Sequence, residues 1–511
     1  MKTRKTYGRI AAAGLCLLLA LSLTACGSMD KGMDAEHGNL ADVILGGSTI
    51  LGESQFSSVT GDQGTYLENP FVSAQTQPIS TFSADVDTAS YGLFRKLVNS
   101  GYSLEELKKQ SRSFRTEEMV NYFSYDYPLP KEGEVFGHGA EIVPAPWNEN
   151  TYLMVLGLTT EALAEKGANN LVFLIDVSGS MAAADKLPLL KNAFATLVTF
   201  LDERDTVSIV TYSGRETVVL DGVSGDRDEE ILTAVRSLLA SGSTNGQSGL
   251  QKAYELAGKH RLENGNNRII LASDGDLNVG ISSPEELKEY VCAKRGEGIY
   301  LSVMGFGTGN YRDDTMSALA QNGNGVYYYI DSAAEAERVM GSDLLSTLYT
   351  VARDVKLQVR FDPTLVEEYR LIGYENRLLE TEDFDDDQKD GGEVGAGHSL
   401  TVCYELKLKA DALEAAAPES PIGTLSIRYQ PPEGGDSALR EHPLTKEQIT
   451  STPSEDAAFV SAVIQTTMLL HDSEYFEREV TVAELLAELT ALDLSADWEK
   501  QEFVSLLQRL A

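Results

Sequence analysis

Five residues near the middle of the chain have the types and spacing to hold a hard divalent cation. Asp176, Ser178 and Ser180 stand in the run Asp176-Val177-Ser178-Gly179-Ser180, Thr244 lies in a Gly-Ser-Thr-Asn-Gly loop, and Asp274 lies in Ser273-Asp274-Gly275. Oxygen-only donors suit Mg²⁺ or Mn²⁺, with Ca²⁺ as a further candidate. Two serines one residue apart, on a turn made tight by Gly179, aim both hydroxyls at one point, and Thr244 supplies a third. The two aspartates then bind through waters or orient them. A metal whose direct ligands are mostly neutral hydroxyls keeps most of its charge and favours a carboxylate from outside in its open position. No base is positioned to drive hydrolysis, so the expected chemistry is binding rather than catalysis.

The surrounding elements must place these oxygens together. Leu171–Ile175 is a continuous apolar run, as in a central parallel strand. A helix is predicted over 187–201, strands over 207–212, 217–220, 268–272, 299–304 and 326–330, and a helix over 284–295. This alternation predicts an α/β fold, a doubly wound parallel sheet. Asp176 and Asp274 then fall just past strand C-terminal ends, where open α/β sheets bind ligands. On the amino-terminal side, helices are expected after Asp87 or Thr88, after Ser103 (a capping box with Glu106) and over 117–123. Strands follow over 138–158. Beyond Asp354 the alternation of Val355, Leu357 and Val359, and of Leu400, Val402, Tyr404 and Leu406, reads as an antiparallel sandwich, with helices from Asp456 to the end. Strands on both flanks suggest that the α/β block is inserted into one sandwich.

The chain has 511 residues, 78 acidic against 42 basic, and a formal charge of -36. That balance argues against general nucleic-acid binding and against polybasic attachment to lipid. The basic residues Lys2, Arg4, Lys5 and Arg9, followed by an apolar run from Ile10 to Leu23, have the form of a secretory signal. Leu23-Thr24-Ala25-Cys26 resembles the lipobox of bacterial lipoproteins. That resemblance implies cleavage after residue 25, acylation of Cys26 (diacylglyceryl and palmitate) and an extracytoplasmic protein held to the membrane by lipid. Residues 26–68 read as a tether. Cys292 and Cys403 are expected to be free thiols, with a bridge between them as the alternative.

Residues 166–350 resemble a von Willebrand factor type A domain, and the five oxygen-bearing residues match its metal-ion-dependent adhesion site. Further motifs widen the match: Ser83-Ala84-Asp85-Val86-Asp87-Thr88-Ala89-Ser90-Tyr91, Arg115 to Phe123, Ser273 to Gly280, Leu371 to Arg377 and Gly395 to Ser399. Together they resemble bacterial lipoproteins with a central type A domain, often labelled calcium-activated chloride channel homologues. No apolar run after the signal is long enough to span a bilayer, so the resemblance implies the domain rather than a channel. It also implies an α+β family domain over 69–165 and a carboxy-terminal family domain over 351–511, with strands in 354–430 and helices in 456–511.

The expected function is a membrane-anchored adhesion or binding protein that takes a carboxylate of a protein partner, with no nucleotide and no enzymatic activity. An envelope scaffold whose metal sets conformation is the alternative, and a metal-dependent phosphohydrolase comes third. The third rests on Asp85-Val86-Asp87-Thr88, which fits a D-x-D-x-T phosphotransferase motif but lacks an apolar strand before it. The acidic run Asp383–Asp390 reads as a solvated turn. The six histidines show no zinc-ligand spacing.

Overall fold

The computed structural model describes residues 66–162, 167–242, 247–263, 265–275, 284–307, 313–389, 391–432 and 434–511. Cys26 and Thr244 lie outside the described residues. The amino-terminal flank runs β1 (Val72–Ser73), β2 (Ile79–Ser83), α1 (Ala89–Asn99), α2 (Leu104–Lys108), α3 (Thr116–Val120), β3 (Phe136–Pro144) and β4 (Tyr152–Thr160). Ser103 and Glu106 form the expected capping box at α2.

The central block follows as β5 (Asn169–Asp176), α4 (Leu187–Leu197), β6 (Thr206–Tyr212), β7 (Glu216–Ser224), α5 (Asp228–Ser237), α6 (Gln247–Lys259) and β8 (Asn266–Ser273). It continues through α7 (Pro284–Gly296), β9 (Tyr300–Phe306), α8 (Asp313–Asn322), β10 (Tyr327–Ile330), α9 (Ala333–Arg338) and α10 (Leu344–Leu348). Its sheet order is β10-β9-β8-β5-β6-β7. Every pairing is parallel except β6 with β7, a hairpin at the edge. The strand alternation splits β5 between two cores, as a doubly wound sheet requires. Leu171, Phe173 and Ile175 share one core with Leu190 and Phe194 of α4, while Val172 and Leu174 share the other with Leu250 and Tyr254 of α6.

The carboxy-terminal flank comprises β11 (Thr350–Phe361), β12 (Val366–Ile372), β13 (Gly392–Gly395), β14 (Ser399–Leu408), α11 (Ala410–Ala415), β15 (Pro421–Gln430), β16 (Ala438–Thr445), α12 (Glu455–His471), α13 (Val482–Thr490) and α14 (Trp498–Leu510). Strands from both flanks share sheets. β4 pairs antiparallel with β14 from Ser399↔Thr159 to Leu406↔Tyr152, and β2 pairs with β11. Phe82, Leu156, Leu357 and Tyr404 meet in the core between the two sheets. The α/β block is therefore inserted into a sandwich built from chain on either side of it.

Two sequence readings shift. Tyr66 and Glu68, placed at the end of the tether, belong to the fold: Tyr66 stacks on His471 at 3.8 Å and donates to Glu375, and Glu68 pairs with Arg370. A ring and a part-buried carboxylate found partners that a composition-based boundary does not see. Of the two cap candidates, Thr88 holds the N-cap position of α1, without a side-chain capping bond, whereas Asp87 is engaged elsewhere. Its carboxylate accepts the Tyr327 amide of β10 at 2.8 Å and faces Arg377. Cys292 and Cys403 are free thiols.

Candidate metal centre

Asp176 is the last residue of β5, and its side chain turns the chain that follows. Its Oδ1 accepts the Ser178 amide at 2.7 Å, and the bend leaves the Ser178 and Ser180 hydroxyls 2.9 Å apart. The segment leading to Thr244 is stitched to this turn. The Ser241 amide donates to the Val177 carbonyl at 2.7 Å, and the Gly179 amide to the Gly242 carbonyl at 3.1 Å. Gly242 has φ +86°, and a Cβ on it would lie 2.6 Å from the Ser213 hydroxyl, so this approach needs glycine. Thr244 comes two residues after that stitch.

Asp274 follows β8, the strand beside β5. Its Oδ2 accepts from the Lys186 ammonium at 2.8 Å. Asp176 and Asp274 are both buried, and among the described residues no hydrogen bond of good geometry reaches the second oxygen of each, Asp176 Oδ2 and Asp274 Oδ1. Burial, with help from Asp274, pushes the Asp176 carboxyl up to about 6, against the pull of the Ser178 amide and hydroxyl and of the Tyr212 hydroxyl. Buried carboxylate oxygens normally find partners. Two left unsatisfied beside paired hydroxyls are what a hard cation or its waters would complete, so the donors present fit a divalent metal.

A second acidic group lies at the junction with the flanks. Asp85, Asp87 and Glu118, all buried, bring carboxylate oxygens within 4.8 Å of one another. Sequence reasoning did not group them, because Glu118 lies on a different element. Here the protein supplies its own cations and donors. Arg377 Nε donates to Asp85 Oδ2 at 2.7 Å, Arg115 to Glu118 Oε1 at 2.9 Å, and Ser90 donates through its amide and hydroxyl to Glu118 Oε2. Asp85 Oδ1 accepts the Asp87 amide. With each carboxylate so engaged, the group reads as a keystone joining amino-terminal loop, type A strand β10 and the Arg377 turn. Asp85, the first aspartate of the D-x-D-x-T run, is thus ion-paired to Arg377. Glu117 next door is different: it is buried, among the described residues no hydrogen bond of good geometry reaches either oxygen, and burial, then Glu375 and Asp85, push it up to about 8 against the pull of the Tyr374 amide. The Asp383–Asp387 run is largely exposed, with Asp387 held by Arg428 and Ser437.

The parallel sheet and the D-x-S-x-S turn at its carboxy-terminal edge define a von Willebrand factor type A domain, and the model of that family matches residues 170–341. A model described as von Willebrand factor matches 60–155, and one described as the carboxy-terminal region of the uncharacterized protein YfbK matches 346–511. Uncharacterized protein YfbK of Escherichia coli is 40% identical over 430 residues, spanning 80% of this chain and 74% of that one. The chain belongs to the YfbK family of bacterial type A domain proteins. Human inter-alpha-trypsin inhibitor heavy chain H3 is 32% identical over 177 residues, which is 33% of this chain and 20% of that protein. Among solved structures, a von Willebrand factor type A protein from Catenulispora acidiphila covers 66% of this chain and 80% of its own, at 16% identity and a TM-score of 0.41. Domains of this type are adhesion and protein-interaction modules, typically without enzymatic activity, and often bind a divalent metal at this motif. Among the described residues, no helix is long and apolar enough to cross a membrane.

Proposed function

We propose that this protein is an extracytoplasmic binding protein, lipid-anchored through Cys26, whose type A domain uses a divalent cation to grasp a carboxylate of a protein partner. The observation that carries this reading is the pair of unsatisfied buried oxygens, Asp176 Oδ2 and Asp274 Oδ1, beside the paired hydroxyls of Ser178 and Ser180. Asp176, Ser178, Ser180, Thr244 and Asp274 would hold the metal. Mg²⁺ is the first candidate, then Mn²⁺ and Ca²⁺. The metal would supply a local positive charge on an otherwise acidic protein. General repulsion then disfavours loose attachment of an acidic partner and leaves the metal contact as the source of specificity.

The test is capture of partners from envelope extracts by the full chain, with Mg²⁺ or with EDTA, alongside D176A. Partners lost both on chelation and in D176A support adhesion. Retention of all partners in both conditions refutes it. A scaffold role in an envelope assembly is the second reading, favoured by the buried ion network that ties α1 and α14 to the type A block. In that case partners persist without metal.

A further inference from the structure

We propose that Lys186 is a built-in competitor for the divalent cation, holding Asp274 when the metal is absent and withdrawing when it binds. This rests on the reading of Asp176, Ser178, Ser180 and Asp274 as a metal centre. The Lys186 ammonium lies 2.8 Å from Asp274 Oδ2, with the lysine side chain 14% exposed and the aspartate 1%. The ammonium answers Asp274, and among the described residues no hydrogen bond of good geometry reaches Asp176 Oδ2 or Asp274 Oδ1. A divalent cation would satisfy both aspartates, so the lysine is an incomplete substitute for it.

The fold makes room for this lysine. A Cβ on Gly307, at the end of β9, would fall 2.2 Å from Lys186 Cε, and Gly307 has φ +72°, so any side chain there would evict the lysine stem. The Tyr329 hydroxyl of β10 fixes that glycine by donating to its carbonyl at 2.9 Å. The neighbouring Asp185 is gripped by Lys96 of α1 at 2.8 Å, which anchors the backbone beside Lys186 to the amino-terminal flank. The flexible four-carbon lysine stem would let the ammonium withdraw while the backbone stays put. With Lys186 in place, an arriving cation meets a like charge and an Asp274 already partly neutralised. Both effects weaken metal binding, and both disappear when the lysine is removed.

The experiment titrates Mn²⁺ into the full chain by calorimetry and measures the Mn²⁺-induced rise in Tm, for wild type, K186M, K186R and D176A. K186M is expected to bind about tenfold more tightly, equivalent to about 1.4 kcal/mol. Its apo form should melt lower and gain more from metal. K186R, which keeps the charge, is expected to stay within about threefold of wild type, and D176A to bind none. K186Q, which keeps a donor beside Asp274, gives the same readout should K186M fail to fold. Equal or weaker Mn²⁺ affinity in K186M and K186Q, with wild type binding, overturns the competitor role alone. Absence of binding in wild type and variants alike overturns the metal centre and this role with it.

Discussion

Removing the Arg95 guanidinium should destabilise the whole assembly of flanks and type A domain by about 3 kcal/mol. Arg95 lies on α1, 1% exposed, with its charge spent on three carboxylates outside α1. It makes a forked contact to Asp331, Nε at 2.9 Å and Nη2 at 2.5 Å, and also reaches Glu335 at 2.8 Å and Glu502 of α14 at 3.0 Å. Its Nη1 donates to the Tyr122 hydroxyl at 2.8 Å, and its plane lies 5.4 Å from the Tyr91 ring. Asp331 and Glu335 are each 3% exposed, so neither regains water when the arginine goes. Breaking a buried pair from one side costs about 3–5 kcal/mol, because the remaining charge is stranded. Glu335 retains Arg338 at 2.6 Å, which places R95M near the lower bound, with Asp331 as the stranded group. Urea unfolding at pH 7, followed by far-UV circular dichroism and by fluorescence of the half-exposed Trp498 one turn from Glu502, measures the loss. The double variant R95M/D331N should recover a third to a half of it, because the uncompensated charge is gone. A loss under about 1 kcal/mol, or a double variant no better than R95M, would refute the stranded-charge argument.

Other outcomes are equally checkable. Burial acts upward on Glu335, but Arg338 and Arg95 offset it and hold the carboxyl at about 2. Its stabilising contribution is therefore complete above an ordinary carboxylate value of 4.5 and is lost as pH falls towards 2, a slope that R95M should flatten in acid titrations. Glu117 behaves in the opposite sense: raised to about 8, it keeps a proton in the fold that the unfolded chain releases above about 4.5. Stability should fall as pH rises between those values, and E117Q should remove that slope and melt higher at pH 8. An unchanged pH profile in E117Q would count against the protonated form. Gly92 on α1 leaves no room for a methyl, since a Cβ would lie 2.7 Å from the Tyr329 carbonyl. G92A should cost about 1–3 kcal/mol through displacement of α1 from β10, and protease sensitivity near residues 99–103 should rise with it.

The layout of the candidate centre was partly legible in the sequence. A continuous apolar strand followed by D-x-S-x-S, and a second apolar strand followed by Asp274, put two carboxylates at one edge of a parallel sheet by topology alone. The hydroxyl pair followed from the spacing of Ser178 and Ser180 about Gly179. Lys186 was not legible. It follows the motif by six residues and carries no periodic signal, and its role depends on the space left at Gly307, which is distant in sequence and belongs to a different strand. The Asp85, Asp87 and Glu118 group was half legible. The two aspartates stand together in sequence, but their partners Arg377 and Tyr327 lie hundreds of residues away.

Local pattern alone determined the strand-helix alternation, the insertion of the block between strand-bearing flanks, and the residue types at the sheet edge. These depend on hydrophobic period and on oxygen donors close in sequence. Tertiary structure decided which cations answer which buried carboxylates. Arg95 reaches Asp331, Glu335 and Glu502, Arg377 holds Asp85, and Lys186 holds Asp274, while among the described residues no hydrogen bond of good geometry reaches Asp176 Oδ2 or Asp274 Oδ1. Charge pairing in a low-dielectric interior depends on distance through space, and no local sequence spacing encodes contacts between residues so far apart in the chain.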